Sequence, residues 1–193
     1  MNPVQTIQAF EYLAVCRLEK LQVKGGKKLC VWLPSKDDGI DILVTNASAP
    51  RQTCGIQVKG SRDYLLTDET ALPRNVKACG WWSLSAAKLK KSKADFWVFV
   101  LLSLPKAGND KLDDNYIIIK TSELIAKLGQ TYGRRSDYRM YLWITDDGRC
   151  FDTRGLKKSH KIAFAEFSQK APLSRDYSGF LEKWDQITKG LID

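Results

Sequence analysis

The stretch GIDILVTNASAPRQTCGIQVKGS, residues 39–61, sets two apolar runs on either side of a polar turn. Ile40 to Thr45 and Thr53 to Gly60 are short, rich in strand-forming residues and separated by Asn, Ala, Ser and Pro, which is the pattern of two antiparallel strands. Side chains alternate across a strand, so Gln57 and Lys59 share one face while Ile56 and Val58 occupy the other. Asp41 stands at the start of the first run. Closing the hairpin is therefore expected to gather Asp41, Gln57 and Lys59 into one cluster. LCVWLP, Leu29 to Pro34, precedes the pair, and the region reads as a three-stranded antiparallel meander.

Further elements extend in both directions. Upstream, Asn2 and Pro3 form a helix cap and first helical position, and Val4, Ile7, Phe10, Leu13, Ala14, Leu18 and Leu21 recur at helical spacing until Gly25-Gly26. This predicts an amphipathic helix over residues 3–21. Downstream, residues 61–80 are polar, carry Pro73 and Gly80, and read as a long surface loop. Ser85 caps a lysine-rich helix ending near Ser92, and ADFWVFVLL is apolar enough for a central strand buried on both faces. GNDKLDDN reads as a turn and YIIIK as a strand. TSELIAKLG reads as a short helix capped by Thr121 or Ser122 and stopped at Gly129. GQTYGRRSDYR is expected to be a basic loop, YLWIT a strand and DDGR a turn. SGFLEKWDQITKGL carries Phe180, Leu181, Trp184, Ile187 and Leu191 on one face of a last helix. The order helix, three strands, helix, strand predicts an α/β fold with helices packed on a central mixed sheet. One domain over 1–193 is expected, with a core over 1–104 and a C-terminal α/β extension over 105–193 packed on it.

Composition restricts the classes. Hydrophobic residues at 44% and charged residues at 27% argue for a chain that buries a core, against disordered or fibrous classes. No apolar run approaches the roughly 20 residues that span a bilayer, and no basic leader precedes an apolar stretch, so neither a membrane span nor a secretory segment is expected. The five cysteines follow no zinc-binding spacing and read as thiols in a reducing, cytoplasmic compartment. Lys and Arg number 31 against 22 Asp and Glu, giving +9, a surplus that suits a polyanionic partner or a solvated basic surface.

The expected cluster has the parts phosphodiester cleavage needs. A carboxylate and an amide oxygen suit Mg²⁺, a hard cation that keeps waters, and a neighbouring ammonium can orient water or stabilise charge on the transition state. Gly-Ile-Asp, an apolar strand, a turn and then Gln-Val-Lys, behind a helix bearing Glu11, resembles the PD-(D/E)xK nuclease superfamily, whose restriction endonuclease-like core runs α-β-β-β-α-β. The Gln-x-Lys variant is similar to that of Mrr-type restriction endonucleases, and the resemblance covers Phe10 to Leu102. It implies an endonuclease acting on DNA with Mg²⁺ or Mn²⁺. By the same resemblance Asp41 is the principal metal ligand, Gln57 a weaker one, the Val58 main-chain carbonyl a third, Glu11 a contributor from the helix, and Lys59 the catalytic lysine. A homodimer in a prokaryotic or phage cytosol is implied as well. Gln57 replaces the usual carboxylate and Ile40 the usual proline. Residue by residue, the plainer alternative is that Asp41 caps a turn and Gln57 and Lys59 line a solvated hairpin.

Lys88, Lys90 and Lys91 suit contacts to phosphates or a solvated helix face. Arg134, Arg135 and Arg139, interleaved with Tyr132 and Tyr138, suit base readout or an ordinary basic loop. Lys157 and Lys158 form a further basic patch with His160 and Lys161. His160 is the single histidine and has no nucleophile motif nearby. Trp81 and Trp82 read as core or cleft-wall aromatics ahead of base-stacking platforms, Asp37-Asp38 as a solvated turn ahead of added negative potential at the metal, and Gly25-Gly26 as a helix stop with no phosphate-loop pattern. A chain of the same fold that binds nucleic acid or a protein partner without cutting is the alternative function.

Overall fold

A computed structural model of the chain describes residues 3–23, 27–35, 39–47, 49–61, 72–103, 113–189 and 191. The elements in order are α1 (Pro3–Glu19), β1 (Gln22–Val23), β2 (Lys27–Trp32), β3 (Ile42–Asn46), β4 (Ala49–Gly60), β5 (Val76–Ser85) and α2 (Ala86–Lys90). They continue with β6 (Phe96–Leu102), β7 (Asp114–Lys120), α3 (Thr121–Tyr132), β8 (Asp137–Thr145), β9 (Cys150–Asp152), α4 (Lys158–Ala165), a 3₁₀ turn at Ser178–Phe180 and α5 (Asp185–Lys189). The class is α/β, with a mixed central sheet flanked by helices.

The meander forms as expected, with β2 antiparallel to β3 and β3 antiparallel to β4. It belongs to a six-stranded sheet of order β1-β2-β3-β4-β6-β7. The β4 and β6 strands run parallel, so the chain must cross over between them, and it does so through β5 and α2. All seven residues of β6 are buried, as its continuous apolar run predicts.

Each face of this sheet has its own cover. On one, Phe10, Ala14 and Leu18 of α1, spaced at helical intervals, pack on Ile42, Val44, Ile56 and Val58, with Ile187 of α5 and Leu191 in the same core. On the other, Trp97, Phe99, Leu101, Ile117 and Ile119 meet a second sheet of order β5-β8-β9 together with Leu89 of α2 and Leu124 and Leu128 of α3. The outer side of that second sheet packs Cys79, Trp143 and Phe151 against Phe164 and Ala165 of α4.

The structure departs from the sequence expectation at several places, among them the expected basic loop, whose last three residues, Asp137 to Arg139, open β8. Residues 76–80, expected in a loop, open the long strand β5; its inward residues include Ala78 and Gly80, whose small size mutes the apolar alternation. The α3 helix continues past Gly129 to Tyr132, held by Thr131, whose hydroxyl donates to the Ser174 carbonyl at 2.9 Å, and it stops at Gly133, φ 68°. Neither Thr121 nor Ser122 caps it: Lys120 is the N-cap, and the Thr121 hydroxyl donates to the Ala94 carbonyl. The last helix is broken, because Glu182 pairs with the edge of β7: its N–H donates to the Tyr116 carbonyl at 2.8 Å, and its carboxylate accepts the Tyr116 N–H at 2.8 Å. Asn2, Gly25-Gly26, Asp37-Asp38, residues 62–71 and the first part of the turn at 108–115 lie outside the described residues.

Candidate functional site

The end of β3 and the middle of β4 meet at Asp41. Its N–H donates to the Ile56 carbonyl at 2.9 Å, and its Oδ2 accepts the Val58 N–H at 2.7 Å and the Gln57 side-chain amide. The carboxylate thus takes over the acceptor role that the main chain just before Asp41 would have played, and the ladder begins only at Ile42, the first residue of β3. Asp41 is half-buried, and Gln57 is 6% exposed. A carboxylate and an amide so withdrawn from water must satisfy each other or a ligand.

Lys59 completes the row. Alternation puts Gln57 and Lys59 on the face of the sheet that carries Trp97 and Phe99, their register partners on β6. The Lys59 ammonium lies 5.9 Å from the centre of the Trp97 ring. Trp97 is opposite Gln57, so the lysine leans back along β4 to the level of the amide, on the β6 side of the strand, whereas Asp41 meets Gln57 from the β3 side. The Trp97 indole N–H is buried and has no acceptor among the described residues, an unmet donor beside this row. Trp97 is the residue sequence reasoning missed. Its own run showed a buried strand, but its place next to Gln57 follows only from the parallel β4–β6 register.

Of the residues expected in the site, Asp41, Gln57 and the Val58 main chain come together, and Lys59 lies two residues beyond Gln57 on the same face of β4, with its ammonium over Trp97. Glu11 is half-buried on α1, which covers the opposite face of the sheet, next to Phe10, whose ring packs over Gly60. Among the described residues no group of three or more His, Cys, Asp and Glu gathers to hold a metal. A cation held here would rely on one carboxylate, one amide and main-chain oxygen.

The basic residues distribute over adjoining surfaces. Lys88 and Lys90 are exposed on α2, and Lys91 is its C-cap. The Ala86 N–H donates to the Ser136 carbonyl at 2.8 Å, which fastens α2 to the turn bearing the exposed Arg134 and Arg135. Arg139 is exposed on β8, Lys157 is the N-cap of α4 and Lys158 opens it. Tyr132 and Tyr138 are not free to stack on bases: Tyr138 is in the core, and the Tyr132 hydroxyl donates to the buried Asp152 carboxylate. Burial raises the Tyr132 hydroxyl above its usual range, with the Asp152 charge adding to it. Trp82 is core, whereas Trp81 keeps 41% exposure. An open groove of about 860 Å³ lies toward the other end of β4 from Lys59, lined by Thr53, Lys90, Lys93, Lys120 and Lys189 among others.

Fold and geometry together define an α/β protein with a polar row at a strand junction. The chain matches no protein-family model, no curated protein and no solved structure. Among the described residues no helix is long and apolar enough to cross a membrane.

Proposed function

We propose that the chain is a metal-dependent nuclease that hydrolyses DNA phosphodiester bonds on a PD-(D/E)xK, restriction endonuclease-like core. The observation that carries this reading is the meeting of Asp41, Gln57 and the Val58 main chain, with Lys59 next on the same face of β4. The order α1, β2, β3, β4, α2, β6 supports it, because it follows the α-β-β-β-α-β core once β5 is set aside as an insertion.

The donor set suits Mg²⁺, which accepts few protein oxygens and keeps several waters. Asp41 supplies a carboxylate oxygen. A half-turn of the Gln57 amide brings its oxygen to where its nitrogen now meets Asp41. In an extended residue the carbonyl leaves the strand on the same side as the N–H, so the Val58 carbonyl faces the same junction. A bound Mg²⁺ or Mn²⁺ supplies an acidified water and offsets charge on phosphate oxygens. Lys59 then orients that water and stabilises the charge that develops on the phosphoryl oxygens. The Trp97 ring supports the lysine, and its unmet N–H offers a donor to water or phosphate. Lys88, Lys90, Lys91, Arg134 and Arg135 hold the DNA backbone, and a homodimer sets two sites on opposite strands. This reading belongs with a prokaryotic or phage cytosol.

One observation favours a second reading, a nucleic-acid-binding protein of this fold that does not cut. Asp41 Oδ2 already accepts two N–H donors and is satisfied without a cation. Conversion of supercoiled plasmid under Mg²⁺ or Mn²⁺ separates the two. The wild type is expected to cut, with Asp41→Ala and Lys59→Ala slowed by about a hundredfold or more. Gln57→Glu is expected to lower the metal concentration needed for half-maximal cutting. Cutting undiminished in Asp41→Ala would refute the site, and DNA binding with no cutting by the wild type in either metal would select the second reading.

A further inference from the structure

The outer face of the β5-β8-β9 sheet is covered at one end only. Alternation turns Cys79, Trp81 and Ser83 of β5, with Arg139, Tyr141 and Trp143 of β8, away from the six-stranded sheet. Phe164 and Ala165 of α4 close over Cys79, Trp143 and Phe151. At the other end Trp81 pairs across the strands with Tyr141, and Ser83 with Arg139. Trp81 is 41% exposed, while Trp82, Trp97, Trp143 and Trp184 are each at 6% or less. The Lys161 ammonium reaches over the border from α4, 6.0 Å from the Tyr141 ring and 5.8 Å from the Trp143 ring.

We propose that this open end is a stacking platform for single-stranded DNA. It goes beyond the cleavage reading and does not depend on it. An exposed Trp81 beside the half-buried Tyr141 on an antiparallel sheet offers aromatic surface on which a base can stack, and every base has a face to offer once it is unpaired. The cations lie where the backbone of a stacked strand would run: Arg139 one residue pair along from the rings, Lys161 at their side. Along the open rows the one carboxylate among the described residues is Asp137, opposite Ser85 at the far end beyond Arg139; beside the rings the charges are the cations Arg139 and Lys161, and the chain as a whole is at +9, so the surface next to the rings complements a polyanion. Duplex DNA hides its base faces and has no use for the two rings.

The platform also adjoins the strand that bears Lys59. The Trp81 N–H donates to the Ser61 hydroxyl at 3.0 Å, and Ser61 lies two residues beyond Lys59 on the same chain segment. A single strand crossing the edge of β5 therefore arrives at the end of β4, beside the candidate site.

Fluorescence anisotropy of labelled oligothymidylate in EDTA tests the proposal without cleavage, with quenching of tryptophan emission as a second readout. The wild type is expected to bind. Trp81→Ala is expected to weaken binding about ten- to hundredfold, the usual effect of removing one stacking ring. Trp81→Phe keeps an aromatic face and is expected to retain most affinity at an unchanged thermal midpoint. Arg139→Ala is expected to lower the slope of log affinity against log salt by about one. Wild-type affinity in Trp81→Ala, a Trp81→Ala loss as large on duplex or RNA as on the single strand, or no binding by the wild type, each overturns the platform. Single-strand binding that needs Trp81 in a protein that never cuts keeps the platform and removes the cleavage reading; cutting with Trp81→Ala binding unchanged does the reverse.

Discussion

Gly60 follows Lys59 on β4, and the first helix is seated on it. A β-carbon added there falls 1.9, 2.1 and 2.4 Å from three ring carbons of Phe10. Carbon atoms in contact settle at about 3.5–4.0 Å, so the helix and strand must separate by well over an ångström, or the Phe10 ring must leave its place. Phe10 is 5% exposed, and releasing such a side chain forfeits about 1.5–3 kcal/mol of burial. Forcing it to stay strains the core by a similar amount, typically about 1–3 kcal/mol. The Gly60 carbonyl is held as well, accepting the Trp82 indole N–H at 3.1 Å, so the strand has little freedom to retreat. Gly60→Ala is therefore expected to destabilise the protein by about 2–3 kcal/mol, a fall in thermal midpoint of roughly 5–10 °C for a chain of this size.

Urea unfolding of Gly60→Ala, Phe10→Ala and the double variant measures this. Phe10→Ala alone is expected to lose about 3–5 kcal/mol through the cavity it leaves. The double variant is expected to lose less than the sum of the two by at least about 1 kcal/mol, because the three clashing atoms are gone and the new methyl fills part of the void. A Gly60→Ala midpoint within about 0.5 kcal/mol of wild type, or strictly additive losses, would show that α1 does not rest on this glycine.

Two further outcomes follow from buried groups away from the candidate site. Burial holds the Asp152 carboxyl above the ordinary carboxylate range, although the Tyr132 hydroxyl and the Arg154 and Tyr141 N–H groups pull the other way. A raised folded-state value means that the unfolded chain loses this proton first, so the group's contribution to stability falls as pH rises from about 4 through the folded value. Asp152→Asn keeps both N–H acceptors on one oxygen, and its stability relative to wild type is expected to increase over that window; a flat or opposite difference curve from urea titrations would refute the assignment. The Cys54 thiol is pushed up to about 12 by burial and then by the Asp95 charge, which lowers its thiolate population roughly a thousandfold against a free cysteine. Mass spectrometry after iodoacetamide at pH 8 is expected to find Cys54 unmodified in the folded chain and modified in denaturant, and native labelling of Cys54 as fast as the half-buried Cys30 would contradict it.

The parts of the fold that sequence disclosed are those written in local alternation. The meander, the α2 cap at Ser85 and the buried β6 strand each depend on neighbours in the chain, and each is where periodicity puts it. The elements misread are those decided by distant partners. The β5 strand hides its periodicity behind Ala78 and Gly80, and Gly80 has a reason to be small: a β-carbon there would fall 2.3 Å from the Trp82 indole. The broken last helix yields to the Tyr116 edge of β7, which supplies a donor and an acceptor that helical continuation through Glu182 would have left unmet.

The same distinction applies within the candidate site. Gln57 and Lys59 share a face because a strand alternates, and Asp41 reaches them because a hairpin closes, so both facts stand in residues 39–61. The direction in which Lys59 leans is different. It depends on Trp97, which lies 40 positions beyond Gln57 and becomes its neighbour only through the parallel pairing of β4 with β6. Without that ring a flexible lysine would spread its ammonium over many positions in solvent. Against the ring, the ammonium is held at the level of Gln57 on the β6 side of β4. Sequence therefore names the polar groups, and tertiary register supplies the confinement that makes an ammonium useful to a reacting phosphate.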